Sequence, residues 1–153
     1  MTENKKGAKS ESIYKKAVTV LPGGISRNTV YRTPFPYYAK KATGCRITDA
    51  DGTVRTDFAN NMAALIHGHS HPEIIKAVSE QMARGTAFTM ASEIEVEYAE
   101  LLCKRVPGVG LIRFVNSGTE AVMAMIKASR AYTGRQMIAK AEGAYHGTYD
   151  FAE

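Results

Sequence analysis

The sequence predicts an α/β fold, on three observations. The apolar run at 111–115 leads through a hydroxyl-glycine-hydroxyl turn, Ser117-Gly118-Thr119, into an alanine-rich stretch at 118–132. A second apolar run occupies 137–141, just beyond Gly134. Upstream, the alternating residues Arg46-Ile47-Thr48-Asp49 and Val54-Arg55-Thr56-Asp57-Phe58 flank Ala50-Asp51-Gly52. Short apolar runs separated by a helix read as buried strands, and alternation about an Asp-Gly turn reads as a β-hairpin.

Each element has a local cause. The first ten residues are expected to be disordered, and a short helix then runs from Ser12 to Leu21 until Pro22-Gly23-Gly24 closes it. Residues 25–42, rich in Pro, Tyr and Arg without a clear period, are expected to form an extended arm. The hairpin follows. Pro72 suits the first turn of a helix whose Ile74, Ile75, Ala77, Val78 and Met82 share one face, ending at Gly85. Ser92 and Glu95 have the spacing of a capping box, opening a helix with Ile94, Tyr98, Leu101 and Leu102 on its buried side and Pro107-Gly108 at its end. Residues 111–115 are then expected to be a fully buried strand. The helix at 118–132 presents Ala121, Ala124, Ala128 and Ala131, small enough for close packing on a sheet, and Gly134 ends it. A boundary at 85–91 separates an amino-terminal part, residues 1–88, from a second part, residues 89–153.

Composition excludes little. The formal charge of +5 owes much to Lys5, Lys6, Lys9, Lys15 and Lys16, a short basic tail of the kind that is ordinarily solvated. Basic residues interleaved with stacking aromatics are missing, so no nucleic-acid partner is expected. Two cysteines, Cys45 and Cys103, are too few and too far apart for a disulfide framework or a thiolate metal site. The amino terminus lacks the apolar core of a secretory signal, and no run reaches the ~18 apolar residues of a membrane span. No membrane association is expected, and the cytoplasm is the default compartment. His67-Gly68-His69-Ser70-His71 offers three imidazoles, but Gly68 and Pro72 argue against a regular strand that would align them. Turn and packing roles are expected there, with no metal.

The stretch around Gly118 carries the chemistry. The first N–H groups of a helix have no intrahelical acceptor, and the helix dipole leaves partial positive charge there, so a phosphate is favoured. Gly118 permits close approach, and the Ser117 and Thr119 hydroxyls add donors. Ser117 and Glu120 are also spaced as a capping box, so plain helix capping is the competing reading. Beyond the second apolar run, Glu142-Gly143-Ala144-Tyr145-His146-Gly147 sets an aromatic and an imidazole at the carboxyl end of a strand, the edge where open α/β sheets bind ligands. A phosphate cup beside an aromatic plate suits a flat, phosphorylated ring.

Together, Asn116-Ser117-Gly118-Thr119-Glu120-Ala121, Tyr132-Thr133-Gly134-Arg135 and Gly143-Ala144-Tyr145-His146-Gly147 resemble the class III pyridoxal-phosphate aminotransferases, including the glutamate-1-semialdehyde aminomutases. Leu21-Pro22-Gly23-Gly24, Asp49-Ala50-Asp51-Gly52 and Gly68-His69-Ser70-His71-Pro72 extend the resemblance in the right order, from about residue 20 to the end. Residues 23–36 look closest to the branch acting on β-amino acids. The resemblance implies the fold-type I PLP-dependent transferase fold, with an amino-terminal small-domain segment and the start of the large cofactor domain. It further implies pyridoxal 5'-phosphate as cofactor, amino-acid and keto-acid substrates, and a homodimer. It assigns the phosphate grip to Ser117, Gly118 and Thr119 and the ring plate to Tyr145, with His146 beside it. Arg27 is the candidate clamp for a substrate carboxylate, ahead of Arg32, since arginine grips a carboxylate through two parallel hydrogen bonds.

No catalytic residue is assigned. In the family the Schiff-base lysine and the aspartate on the pyridine nitrogen lie well downstream of the Tyr-His-Gly segment, and neither Lys127 nor Lys140 matches that position. The chain is therefore expected to be the amino-terminal portion of such an enzyme, inactive alone. In the family's strand order the runs at 111–115 and 137–141 are not neighbours, so each is expected to lack its pairing partners. The competing functions are a non-catalytic phosphate-ligand or interaction module, which a genuine stop after codon 153 would favour, and a different phosphate-binding α/β enzyme such as a phosphosugar isomerase, which needs no ring-stacking aromatic.

Overall fold

The computed structural model describes residues 7–152. The expected disorder of residues 1–6, and Lys5 and Lys6 of the basic tail, lie outside the described residues. The chain divides into two compact units, Met1–Ala87 and Phe88–Glu153.

The first unit is built on a three-stranded antiparallel sheet in the order β1-β2-β3. The expected hairpin is present as β2 (Arg46–Asp49) and β3 (Val54–Thr56), with Ile47 opposite Arg55. Part of the expected arm joins it: β1 (Ala39–Thr43) pairs with β2, with an irregularity between Ala39 and Lys41. Lys40 and Lys41 break the apolar alternation that would have marked this strand in the sequence. The hairpin turn is organised by Asp49, only 2% exposed. Its carboxylate accepts from Asp51 N at 3.1 Å, Thr53 N at 2.8 Å and the Arg55 guanidinium at 3.0 and 3.2 Å. Arg55 in turn lies over the Tyr37 ring, 4.0 Å from its centroid.

Asp51, at the tip of the same turn, caps a helix far from it in sequence. The helix α1 (Ala8–Ala17) begins four residues earlier than the sequence predicts and has no capping side chain of its own. Asp51 supplies one: its carboxylate accepts from Lys9 N at 2.7 Å, Ser10 N at 3.1 Å and Ser10 Oγ at 2.6 Å. A carboxylate at a helix start satisfies orphan N–H groups and complements the dipole, which is why the helix extends to Ala8. The expected end at Leu21 moves to Ala17, and a 3-10 turn at Pro22–Gly24 follows.

Residues 67–71 dock onto the β1-β2 turn. Gly44 and His69 exchange backbone hydrogen bonds of 2.9 and 2.8 Å, and Ser70 Oγ donates to the Ala42 carbonyl at 3.1 Å. A Cβ on Gly68 would lie 2.9 Å from the Gly44 carbonyl oxygen, so only glycine allows this approach. The helix α3 (Pro72–Arg84) follows with Pro72 in its first turn, as the sequence predicts. Between β3 and α3, the short element α2 (Asn60–Ala63) is a left-handed turn in which all four residues have φ between 46° and 61°.

In the second unit, α4 (Glu93–Arg105) and α5 (Gly118–Thr133) fall where the sequence predicts them. The capping box expected at Ser92 and Glu95 does not form: Ser92 makes no side-chain cap, and Glu95 N donates to the Ser92 backbone carbonyl at 3.2 Å. Residues 111–115 and 137–141 are not strands. Neither finds a pairing partner among the described residues, and Leu111, expected to be fully buried, is 95% exposed. An extended segment becomes a strand only when a neighbour takes its N–H and C=O groups, and the two runs flank α5 without meeting. Ala121, Ala124, Ala128 and Ala131 accordingly face no sheet and are exposed. Tyr98 of α4 stacks on Phe114, with ring centroids 5.3 Å apart.

Among the described residues, Ala17, Ile126 and Ala152 are the buried hydrophobic residues. So small a core cannot offset the chain entropy of folding. The 153-residue polypeptide alone is therefore expected to self-associate or remain poorly folded, as read by light scattering and the width of its thermal transition; a cooperatively unfolding monomer would refute this. A second expectation concerns acid. The Ser10 hydroxyl, and then the Lys9 and Ser10 N–H groups, hold the Asp51 carboxyl below its ordinary pKa against the opposing effect of desolvation. A carboxyl with a lowered folded pKa stabilises the fold above its unfolded pKa, and that gain is lost as pH falls through the folded value. Asp51→Asn is expected to lower the melting temperature of a full-length protein carrying this unit at pH 7, with the difference from the parent closing below the ordinary carboxylate range, about pH 4.

Candidate functional site

The start of α5 combines a capping box with free donors. Ser117 adopts extended backbone at the N-cap, and its Oγ accepts from Glu120 N at 3.2 Å. Glu120 reaches back, its Oε2 accepting from Asn116 N at 2.6 Å and Ser117 N at 3.1 Å. This uses the N–H groups before the helix and the Ser117 lone pair. It leaves the Gly118 and Thr119 N–H groups, neither of which has an acceptor among the described residues, and the Ser117 hydroxyl proton. The capping reading therefore holds, and the cap leaves donors unspent at the same helix start. A Cβ on Gly118 would meet nothing within 4 Å, so the space over these donors is open.

Thr119 is also where the segment bearing Tyr145 lands. Thr148 N donates to Thr119 Oγ1 at 3.4 Å. A Cβ on Gly147 would sit 2.6 Å from Thr119 Oγ1 and 2.9 Å from Thr119 Cα, and Gly147 has φ +96°. Gly147 is buried by this contact. Its docking role was hidden in the sequence: the glycine was visible in the motif, but its partner lies 28 positions away.

Tyr145 and His146 separate. Tyr145 is 79% exposed, two residues from the Gly147 contact. His146 instead lines a cavity of about 310 Å³ with Val122, Met125 and Ile126 of α5, Ile138 and Phe151. Ser117, Gly118 and Thr119 do not line that cavity. Lys140 Nζ donates to the Ala152 carbonyl at 3.2 Å.

In the first unit, the two arm arginines differ. Arg32 Nη1 is turned onto the Thr29 and Tyr31 carbonyls, 3.2 and 2.5 Å away. Arg27 Nη1 donates to Asn61 Oδ1 at 3.0 Å, and its Nε and Nη2 have no partner among the described residues. Asn61 belongs to the left-handed turn α2, whose backbone costs an L-residue roughly 1–2 kcal/mol per position, least for Asn. Asp57 holds that turn. Its Oδ1 accepts from Ala59 N at 3.0 Å and Asn60 N at 2.9 Å, and its Oδ2 lies 2.7 Å from His69 Nε2. A carboxylate only accepts, so His69 donates through Nε2. His69 foremost, and then the Asn60 N–H, hold the Asp57 carboxyl below its ordinary pKa. The sequence signal for this network was the αL-tolerant pair Asn60-Asn61 just after Asp57, which the hairpin reading passed over. Of the histidine run, His69 is thus a structural partner of Asp57, and the His67 and His71 rings lie 5.3 Å apart. Among the described residues no three His, Cys, Asp or Glu side chains are grouped to hold a metal.

The aminotransferase class-III family profile matches residues 28–152. A glutamate-1-semialdehyde 2,1-aminomutase of Methanothermobacter thermautotrophicus is 43% identical over 143 residues, covering 94% of this chain and 34% of that protein. The chain thus spans about a third of the length of the curated relatives it matches. An ω-transaminase from Sphaerobacter thermophilus has a TM-score of 0.93 and 55% identity over 97% of this chain and 34% of its own. A transaminase with PLP bound has a TM-score of 0.91 and 48% identity over 99% of this chain and 35% of its own. No helix among the described residues is long and apolar enough to cross a membrane.

The contact between Gly147 and Thr119 has a direct test. Gly147→Ala places a methyl group against the first turn of α5 and strains a left-handed position, so the 143–148 segment is expected to lift away. In a full-length protein carrying this unit, amide hydrogen exchange at Thr148 and Ala144 should accelerate by about tenfold or more, while the middle of α5 stays protected. Unchanged exchange at Thr148 would mean that the segment is held by other contacts.

Proposed function

Since the chain belongs to the class-III aminotransferases, a fold-type I family that uses pyridoxal phosphate, we propose that it forms the amino-terminal third of an enzyme transferring the amino group of an amino-acid-type substrate. The observation that carries this reading is the free donor set at the start of α5. The Gly118 and Thr119 N–H groups and the Ser117 and Thr119 hydroxyls take the cofactor phosphate, in the field of a sixteen-residue helix. The open space over Gly118 fits a phosphate group. Glu120 contributes by withdrawing its carboxylate onto the Asn116 and Ser117 N–H groups, where it is neutralised by donors that the phosphate does not need.

Tyr145 supplies the aromatic face for the pyridine ring, supported by its exposure and by the docking of its segment on Thr119 through Gly147. His146 acts one step removed, filling the apolar side of the same segment. Arg27 grips the substrate carboxylate with the Nε and Nη2 edge that Asn61 leaves free. Residues 23–36, which carry Arg27, favour a β-amino acid as that substrate. When bound, pyridoxal phosphate supplies an aldehyde carbon that accepts the substrate amine and a protonated ring that takes up the electrons of the broken C–H bond. The lysine that carries the proton is assigned outside residues 1–153, in line with Lys140 being tied to Ala152. The whole enzyme is assigned as a homodimer in the cytoplasm.

Losing one charge-assisted hydrogen bond costs about 1.5–3 kcal/mol, so Thr119→Ala is expected to weaken cofactor retention by roughly ten- to a hundredfold. Titration of the full-length apoenzyme with pyridoxal phosphate measures this, and unchanged affinity would remove the Thr119 hydroxyl from the phosphate site. In the same assay Tyr145→Phe should be mild and Tyr145→Ala severe, because the ring face matters more than the hydroxyl. Equal, small effects of both would make Tyr145 a packing residue.

A further inference from the structure

We infer that Asn61 is a positioning residue for Arg27, and that the left-handed turn α2 aims the guanidinium so that its free edge meets the substrate carboxylate. The inference rests on the clamp role proposed for Arg27 and adds the device that sets it.

Arg27 sits on the arm between two 3-10 turns, Pro22–Gly24 and Asn28–Val30, and is exposed. An arginine there would sample many rotamers, and ordering it on binding would cost affinity. Asn61 Oδ1 removes that freedom by accepting from Nη1 at 3.0 Å. Because one nitrogen is held, Nε and Nη2 remain together as a two-pronged edge, the geometry a carboxylate accepts. Arg32 makes the contrast: its Nη1 is committed to two carbonyls of its own arm.

The amide suits this task in two ways. A neutral acceptor orients the guanidinium without cancelling its charge, whereas a carboxylate in the same place would compete with the substrate. Asn is also one of the few L-residues that tolerate left-handed backbone, which Asn61 adopts at φ 48° and ψ 53°.

The turn is anchored rather than loose. Asp57 takes the Ala59 and Asn60 N–H groups on one carboxylate oxygen and His69 on the other. The His69 backbone is doubly bonded to Gly44 at the β1-β2 turn. From sheet to guanidinium the order is therefore Gly44, His69, Asp57, the Asn60–Ala63 turn, Asn61 and Arg27, each joined to the next by a hydrogen bond or by the chain itself. Four consecutive left-handed residues held by a part-buried Asp57–His69 hydrogen bond make a costly way to end a hairpin, and the side chain they present to the arm is Asn61.

The test uses full-length enzyme loaded with pyridoxal phosphate. Three measurements are needed: KM for the amino-acid substrate, and inhibition constants for two analogues, the matching carboxylic acid without the amino group and the matching amine without the carboxylate. Asn61→Gly keeps the left-handed backbone and deletes the amide. It is expected to raise KM and the acid's inhibition constant by about three- to tenfold, with a smaller change in kcat and in the amine's constant. In an Arg27→Met background the same substitution should add nothing to the acid's constant, the signature of two residues acting as one. Asn61→Asp, which also tolerates the turn, should weaken the acid more than Asn61→Gly does, because its charge competes for the guanidinium.

An Asn61→Gly effect that is equal for acid and amine, or undiminished in the Arg27→Met background, overturns the inference and makes Asn61 a fold residue. Should Asn61→Gly not fold, an Asn61→Asp enzyme with the parental acid constant overturns it as well. The two readings fail separately. If Arg27→Met itself treats acid and amine alike, the clamp role falls and takes this inference with it; if Arg27→Met discriminates and the Asn61 variants do not, only the positioning role is lost.

Discussion

The first unit depends on one buried charge, the carboxylate of Asp49. A carboxylate taken out of water is tolerated only when donors replace its hydration, and Asp49 has two N–H groups and a guanidinium. Those donors lie within six residues of it, so satisfying the charge forces the chain to turn. The turn in turn fixes Asp51, whose carboxylate gathers the start of α1, and Arg55, whose guanidinium covers Tyr37. A single desolvated group thereby links a hairpin, a helix and part of the arm, with little apolar burial to assist. Ser10, wholly inaccessible to solvent, marks where this polar joint is tightest.

The second unit relies on steric closeness instead. Gly147 brings the segment that follows the second apolar run into van der Waals contact with the first turn of α5, which no residue with a Cβ permits. The same turn holds the capping box. The helix start is kept in shape by Glu120 and Ser117 while two of its N–H groups have no acceptor among the described residues. Donors at a helix terminus stay rigid and unspent when its capping box engages other N–H groups, here those of Asn116, Ser117 and Glu120.

Exposure of the apolar side chains follows from backbone pairing. Ile74, Ile75, Val78 and Met82 of α3, and Leu111, Phe114 and Met137 around α5, lie open to solvent. These are the residues whose periodicity marks a core face. Their pattern is that of a protein in which helices pack on a sheet, and among the described residues the sheet that would receive α5 is not assembled. The chain shares its fold with transaminases of about three times its length.

The sequence by itself determined the elements whose causes are local. Pro72 and Gly85 bound α3, Ser117 and Glu120 start α5 and Gly134 ends it, and Asp51-Gly52 turns the hairpin, because capping, proline geometry and turn chemistry act within four residues. The family, its cofactor and the donor set at Ser117, Gly118 and Thr119 were legible for the same reason, being contiguous motifs. What only the tertiary structure decided are the pairings across long stretches of chain. Asp51 with Ser10, His69 with Asp57, Arg27 with Asn61, and Gly147 with Thr119 are separated by 41, 12, 34 and 28 positions, and no periodicity encodes them. The strand character of β1 and its absence at 111–115 belong to the same class: a strand is a property of two segments, and the partner that makes or withholds the hydrogen bonds is not written beside it.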